Sequence, residues 1–180
     1  LYTRVTFESR LHDEINRFKR YGNPVCLLMM DLDDFKTLND RYGHPRGDVV
    51  LTQVSRIIRE QVREVDIPCR YGGEEFAVLM PQSTRREGQA LAERMRTRIA
   101  TDSHPDTPVT ASFGVAACPA HARDPRRLVG AADRALYRAL RHLGKASSNF
   151  VFAVNKRDLL SDKELYAVTG HFHVLLEGVL

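Results

Sequence analysis

The sequence predicts one domain of the α/β or α+β class, with a mixed central β-sheet flanked by helices. Short apolar runs typical of strands alternate with longer segments in which apolar residues recur every three or four positions. Two of the strand-like runs flank a Gly-Gly turn, which is the pattern of an antiparallel hairpin. The chain has 180 residues, of which 43% are hydrophobic, and this amount supports one core with a short appendage.

The predicted order of helices and strands is αβααββαβαβ. The first helix covers 6–21, where apolar residues share one face and Gly22 ends the pattern. The run VCLLMMDL at 25–32 is nearly all apolar, as expected for a central strand buried on both faces. The other predicted elements are a short helix at 33–42, a helix after the break at Gly43, Pro45 and Gly47 that carries Val50 to Val62, strands at 67–70 and 75–80, a helix at 85–100, a strand at 109–118, a helix at 125–142 and a strand at 150–154.

Residues 1–154 form the predicted domain, and 155–180 are interpreted as an accessory tail or as the start of another domain. The tail loses the alternation, although Ser161 with Glu164 matches a capping box and 171–176 has a strand-like composition. His171 and His173 form a close pair, but a zinc site needs further ligands that their neighbours do not supply. No metal site is therefore predicted in the tail.

Composition predicts a soluble, cytoplasmic domain. No apolar run reaches the ~20 residues that cross a bilayer, and the N-terminus lacks signal-peptide order. The three cysteines are widely spaced in apolar sequence, which excludes a disulfide framework and fits a reducing compartment. The net charge of +4 is compatible with an anionic ligand but is too even for a nucleic-acid-binding stripe, so no nucleic acid polymer is expected as a partner.

Two acidic residues indicate a metal site. Asp31 ends the apolar strand and Glu74 lies in the Gly-Gly hairpin turn, so both carboxylates can meet at neighbouring strand ends. Carboxylates that meet repel each other unless a cation joins them, and Mg²⁺ prefers such oxygen ligands beside phosphates. On spacing alone the alternative is that these acids belong to a solvated loop.

Lys36 follows the turn at Asp34 and Phe35, where a chain entering a helix presents unpaired N–H groups. Such groups, with a lysine charge beside them, form a seat for an anion such as phosphate. The alternative is an ordinary surface lysine at a helix start.

Four sequence blocks together resemble the GGDEF family of diguanylate cyclases. They are DLDDFKTLNDRYGHPRGD at 31–48, RYGGEEF at 70–76, TASFGVA at 110–116 and ADRALY at 132–137, and the hairpin turn is the GGEEF variant. The resemblance covers roughly 1–154 and is far more specific than a lone glycine-rich motif. It implies a nucleotidyl-cyclase or palm-like fold and a bacterial source.

The resemblance also implies roles for individual residues. Two Mg²⁺ or Mn²⁺ ions per active site would be held by Asp31, Glu74 and the Leu32 carbonyl, the triphosphate by Asp34, Phe35 and Lys36, and the guanine edge by Asn39 and Asp48. An aspartate that accepts from guanine N1–H and N2–H₂ selects against adenine, which has no such donor pair. Asp48 also fits a helix N-cap after Gly47, a role that does not exclude the first.

The hairpin turn contributes a further acid. Glu75 follows Glu74, and in the family this residue is proposed to help deprotonate the ribose 3′-OH, although it is equally suited to balancing local charges. Gly72 and Gly73 are expected to adopt unusual dihedral angles and to let a nucleotide approach the backbone.

The implied reaction joins two GTP molecules into cyclic di-GMP and pyrophosphate. The 3′-OH of each GTP attacks the α-phosphate of the other, which requires two domains facing each other as a homodimer. Arg63 and Asp66 match the family's RxxD site for inhibition by cyclic di-GMP; the alternative is an Arg–Asp pair that closes a helix end.

The sequence departs from the family pattern in two places. Leu140 occupies the position of a phosphate-binding lysine, while Arg141 and Lys145 restore a basic pair displaced by one residue, or ~100° around a helix. The leader motif is present only as its end, Leu1 to Arg4, so an upstream sensor or dimerisation segment, which could anchor the whole protein to a membrane, is expected. A regulator that binds GTP or cyclic di-GMP without turnover is the alternative function, and a cyclase making mononucleotide or mixed products is a third.

Overall fold

The computed structural model describes residues 1–103, 106–143 and 151–153. The elements follow the predicted order, αβααββαβαβ. Their bounds are α1 Arg4–Tyr21, β1 Val25–Leu32, α2 Phe35–Tyr42, α3 His44–Gln61, β2 Ile67–Arg70, β3 Glu75–Pro81, α4 Arg85–Asp102, β4 Ala111–Cys118, α5 Pro125–Leu143 and β5 Val151–Ala153. The tail predicted at 155–180, including Ser161, Glu164, His171 and His173, lies outside the described residues.

The five strands form a mixed sheet in the order β2-β3-β1-β4-β5. Neighbouring strands are antiparallel except β4 and β5, which are parallel. β1 therefore lies in the centre, and its apolar run is buried on both faces as the sequence predicts. The predicted fold class, a mixed sheet flanked by helices, is confirmed.

Alternate residues of β1 belong to two separate cores, because successive strand side chains point to opposite faces of the sheet. Leu28 and Met30 pack with α3 and α4, whereas Leu27 and Met29 pack with α1 and α5. The sheet is thus sandwiched between two layers of helices. None of the helices in the described ranges combines the length and apolar character needed to cross a bilayer.

The start of α3 differs from the prediction. The helix begins at His44, with Pro45 in its first turn and Gly43 as its N-cap, rather than after Gly47. Proline is tolerated in a first helical turn because its missing N–H has no intrahelical acceptor there. α2 likewise begins at Phe35 and not at residue 33, after Asp34 at φ 54°.

Candidate active site

Two acidic residues face each other where β1 ends and β3 begins. Asp31 of β1 is the direct register partner of Glu75 of β3, and Glu74 precedes Glu75 in the hairpin turn. Residues directly opposite in an antiparallel pair project from the same face of the sheet. We call Asp31, Glu74 and Glu75 the carboxylate edge, and the fold brings together these three acids predicted from the sequence.

The carboxylate edge has the electrostatics of a cation site. Burial, followed by the negative charges of Glu74, Glu75 and Asp33, raises the pKa of Asp31 to about 7. A divalent ion would remove this repulsion, so the residues fit the metal that the sequence pattern implies. Among the described residues no three His, Cys, Asp or Glu side chains converge on one point. Mg²⁺ does not require three such side chains, because it is commonly held by one or two carboxylates together with substrate phosphates.

Asp33 anchors the end of β1, a role that the sequence reading missed. Its carboxylate accepts hydrogen bonds from the hydroxyls of Thr110 at 2.7 Å and Ser112 at 2.8 Å. Its backbone N–H also donates to the Thr110 carbonyl at 3.0 Å. Ser112 is the β4 register partner of Asp31, so these bonds tie the end of β1, just after Asp31, to β4. Both hydroxyl residues belong to the TASFGVA block, but nothing in the sequence links that block to Asp33.

The hairpin turn is closed by its own backbone. The N–H groups of Tyr71 and Gly72 both donate to the Glu75 carbonyl, at 2.9 and 3.1 Å, and the Arg70 guanidinium donates to the Gly73 carbonyl at 2.8 Å. The expectation of unusual dihedral angles was wrong, because neither turn glycine has a positive φ. Gly72 instead provides space, since a Cβ there would overlap the Glu75 carboxylate, whereas Gly73 faces open space.

The start of α2 lacks a side-chain cap. Asp34 adopts a left-handed conformation at the N-cap, and its side chain makes no capping hydrogen bond. The first N–H groups of a helix have no intrahelical acceptor and usually bond to the side chain of the N-cap residue. The N–H groups of Phe35 and Lys36 receive no such bond from the Asp34 side chain. The Lys36 side chain is exposed beside them.

Asn39 and Asp48 are brought together by the contact between α2 and α3. The Asn39 Oδ1 atom is buried without a hydrogen-bond partner and lies against the α-carbon of Gly47, where any Cβ would overlap it. Asp48, the next residue, is exposed in the first turns of α3. The N-cap alternative for Asp48 was wrong, because Gly43 holds that position. A buried, unpaired acceptor next to a free carboxylate fits a ligand edge rich in N–H donors.

A family model described as "Diguanylate cyclase, GGDEF domain" matches residues 1–145. The chain belongs to the GGDEF family. This GGDEF domain is 37% identical over 145 residues to the response regulator PleD of Caulobacter vibrioides, a match that covers 77% of this chain and 32% of PleD. It thus spans about a third of that relative's length.

Solved GGDEF structures share the fold. The active GGEEF domain of a diguanylate cyclase from Vibrio cholerae superposes with a TM-score of 0.77 at 27% identity, covering 85% of this chain and 97% of that one. The GGDEF domain of DgcB from Caulobacter crescentus, solved in complex with c-di-GMP, superposes with a TM-score of 0.70 at 27% identity, covering 85% and 91% of the respective chains.

In this GGDEF domain the Arg63–Asp66 pair closes the segment between α3 and β2. Asp66 is buried and accepts from the Arg63 guanidinium and backbone N–H, both at 2.9 Å, while Arg63 also donates to the Ser83 hydroxyl at 2.5 Å. The alternative interpretation, an Arg–Asp ion pair within the domain, is thus present in the fold. It does not exclude ligand binding, because half of the Arg63 side chain, 49%, stays exposed.

The pair borders an open groove of about 1060 Å³ between α1 and the 63–67 segment. The groove is also lined by Val25 and Pro81, which are register partners at the far ends of β1 and β3. Six residue steps along β1 separate Val25 from Asp31, which is roughly 20 Å at ~3.3 Å per residue. This groove is therefore remote from the carboxylate edge.

The basic residues expected near the end of α5 are only partly covered by the described structure. The side chain of Arg141 and the whole of Lys145 lie outside the described residues. Leu140 is partly buried and packs against the core formed by α1 and α5.

Proposed function

We propose that this GGDEF domain is a diguanylate cyclase catalytic module that condenses two GTP into cyclic di-GMP and two pyrophosphates. The observation that carries the proposal is the carboxylate edge, in which Asp31 lies opposite Glu75 and beside Glu74 with a pKa raised to about 7. Acids held this close are unfavourable by themselves and become favourable once divalent cations bind.

Asp31, Glu74 and the Leu32 carbonyl would hold two Mg²⁺ or Mn²⁺ ions. When bound, such ions neutralise charge on the attacking, bridging and leaving oxygens of an in-line phosphoryl transfer. Asp33 supports this set because it ties the chain just after Leu32 to Thr110 and Ser112. Rigid support of ligands by surrounding hydrogen bonds is general in metal sites.

The start of α2 and the α2–α3 contact would bind the nucleotide. The uncapped N–H groups at Asp34, Phe35 and Lys36, with the Lys36 charge, suit a triphosphate. Asn39 Oδ1, unpaired and buried, and the Asp48 carboxylate would accept from the guanine edge. Adenine would leave these acceptors unpaired, so GTP is the preferred substrate.

Glu75 would accept the proton that leaves the attacking 3′-OH, either directly or by way of one water. Its carboxylate lies over Gly72 at the carboxylate edge and remains exposed. Because each domain presents one GTP, two copies of the domain must face each other about a two-fold axis for both bonds to form.

Arg63 and Asp66 would form a second, inhibitory site for cyclic di-GMP. The exposed Arg63 guanidinium, beside a groove remote from the carboxylate edge, supports binding of a phosphodiester without competition with GTP. Inhibition at this site would therefore be allosteric.

Glu74→Ala tests the proposal, with Glu60→Ala on the surface of α3 as the matched control. We expect Glu74→Ala to abolish both formation of cyclic di-GMP and Mg²⁺-dependent GTP binding, while Glu60→Ala retains both. Product chromatography after incubation with GTP and Mg²⁺ measures the first, and calorimetry with a non-hydrolysable GTP analogue measures the second. Full activity of Glu74→Ala would refute the site assignment.

The second candidate function is a module that binds GTP or cyclic di-GMP without turnover. It is favoured by Leu140, which packs on the core where the family pattern has a phosphate-binding lysine. The same incubation separates the two functions, because a binding module yields no pyrophosphate. Chromatography also detects mononucleotide or mixed cyclic products.

A further inference from the structure

The beginning of α1 contacts the hairpin that carries the carboxylate edge. The guanidinium carbon of Arg4 lies 4.4 Å from the centroid of the Tyr71 ring, and the Tyr71 and Phe7 rings form an edge-to-face pair with centroids 5.7 Å apart and planes at 85°. Glu8 fixes the Arg4 guanidinium by accepting from its Nε at 2.9 Å. The Tyr71 ring is thus held between one cation and one buried ring of the same helix.

Tyr71 is the residue at which β2 passes into the turn. Its N–H group donates to the Glu75 carbonyl at 2.9 Å, so the position of Tyr71 and the closure of the turn are coupled. The segment before α1 is attached to the same strand, because Tyr2 donates to the Pro68 carbonyl at 2.9 Å and accepts from the Arg70 N–H at 3.2 Å. Tyr2 therefore contacts the hairpin through backbone hydrogen bonds, and Arg4 contacts it through the Tyr71 side chain.

The charge of Arg4 also suits this position. Burial, followed by the charge of Glu75, raises the pKa of Asp133 on α5, while Arg134 and Arg4 lower it. Arg4 thus lies within electrostatic reach of Asp133 and of Glu75, and a cation there reduces the repulsion between these two acids. This stabilisation is available before any divalent ion binds.

We propose that Arg4 is a positioning residue for the carboxylate edge, acting through Tyr71 to hold the hairpin turn, and with it Glu74, beside Asp31. The consequence for turnover rests on the proposed function, whereas the positioning itself does not. The competing explanation is that Arg4 only stabilises α1 through its ion pair with Glu8, four residues along the helix.

Hydrogen exchange in the absence of metal separates these explanations. The amides of Tyr71 and Gly72 report closure of the turn. We expect Arg4→Ala to raise their exchange rates by about two- to five-fold, the factor that corresponds to an exposed cation–π contact. Arg4→Lys, which keeps a cation over the ring, should retain most of the protection.

Arg20→Ala is the matched control. Arg20 lies 5.3 Å from the centroid of Tyr21, so it is an equivalent arginine–tyrosine pair at the other end of the same helix. We expect this variant to leave Tyr71 and Gly72 exchange at the wild-type level. Exchange that rises equally in Arg4→Ala and Arg20→Ala would overturn the proposal, because it would reflect general loss of α1 stability.

The ring is tested separately by Tyr71→Phe and Tyr71→Leu. Tyr71→Phe should behave as wild type, whereas Tyr71→Leu should match Arg4→Ala, and the double variant Arg4→Ala/Tyr71→Leu should be no worse than either single variant. Additive effects of the two substitutions would overturn the proposal, because they would mean that Arg4 does not act through the ring.

Metal dependence supplies the functional readout. Loss of a preorganised carboxylate edge should raise the Mg²⁺ concentration at half-maximal binding of a GTP analogue by about two- to five-fold in Arg4→Ala, with maximal binding unchanged. An unchanged Mg²⁺ midpoint would overturn the proposal. If wild type produces no cyclic di-GMP, the proposed function fails while the exchange experiment still decides the role of Arg4.

Discussion

Gly114→Ala should destabilise the domain by forcing α5 away from the sheet. A Cβ at Gly114 on β4 would overlap the Ala132 carbonyl and the Leu136 N–H group, which are backbone atoms and cannot move aside by changing rotamer. Overpacking of a dense core costs about 1–3 kcal/mol, and immovable backbone places this site near the upper end. Replacing a strand glycine by alanine returns about 0.5–1 kcal/mol of backbone entropy. We therefore expect a net loss of about 2 kcal/mol.

Urea unfolding followed by circular dichroism measures this loss as a change in unfolding free energy. A loss of about 2 kcal/mol corresponds to a decrease in Tm of roughly 4–8 °C for a chain of this size. Gly130→Ala is the control, because a Cβ there first meets the flexible end of Arg134 at 3.4 Å. In a helix this change should be neutral or stabilising by up to ~1 kcal/mol. Wild-type stability of Gly114→Ala would refute the packing argument.

Three further changes have defined outcomes. Because the pKa of Asp31 is raised to about 7, the folded state binds the Asp31 proton more tightly than the unfolded state does. The stabilisation that results is fully present below pH ~4 and is lost as the pH rises through about 7. Asp31→Asn should therefore flatten the decline of Tm between pH 5 and 8 in EDTA, measured by thermal melts at about half-unit steps; parallel curves for the two proteins would contradict this. Thr84→Ala removes a capping box, in which the Thr84 hydroxyl accepts from the Glu87 N–H and the Glu87 carboxylate accepts from the Thr84 N–H. This change should lower the free energy of unfolding in urea by about 1 kcal/mol, and an unchanged free energy would argue against the cap. Gly47→Ala would displace Asn39 and should weaken binding of a GTP analogue about three- to tenfold in calorimetry, whereas unchanged affinity would remove Asn39 from the site.

The strongest sequence predictions concerned elements whose local pattern has a single interpretation. β1 was predicted because a nearly continuous apolar run of eight residues, preceded by Gly22 and Pro24, is typical of a strand buried on both faces, and the Gly-Gly turn between β2 and β3 indicated their hairpin. The start of α3 was predicted wrongly because proline and glycine were taken as breakers. In the structure, Pro45 lies in the first turn, where proline is tolerated. Gly47 lies inside the helix at a position where Asn39 leaves no room for a side chain.

The candidate site divides in the same way. Asp31 and Glu74 could be predicted as partners because one ends a buried strand and the other lies in a hairpin turn. Asp33 could not, because its hydroxyl partners lie 77 and 79 residues away in the chain. The need for glycine at position 72 could not be predicted either, since only the folded turn places the Glu75 carboxylate over the α-carbon of Gly72.

By itself the sequence determined the order of helices and strands and the family, and it predicted the acids of the candidate site, because these depend on periodicity, turn chemistry and contiguous motifs. The tertiary structure alone decided the register that sets Asp31 opposite Glu75, the packing of Asn39 on Gly47 and the grip of Arg4 on Tyr71. Such contacts join residues far apart in the chain, and their geometry follows from how layers pack rather than from any local preference.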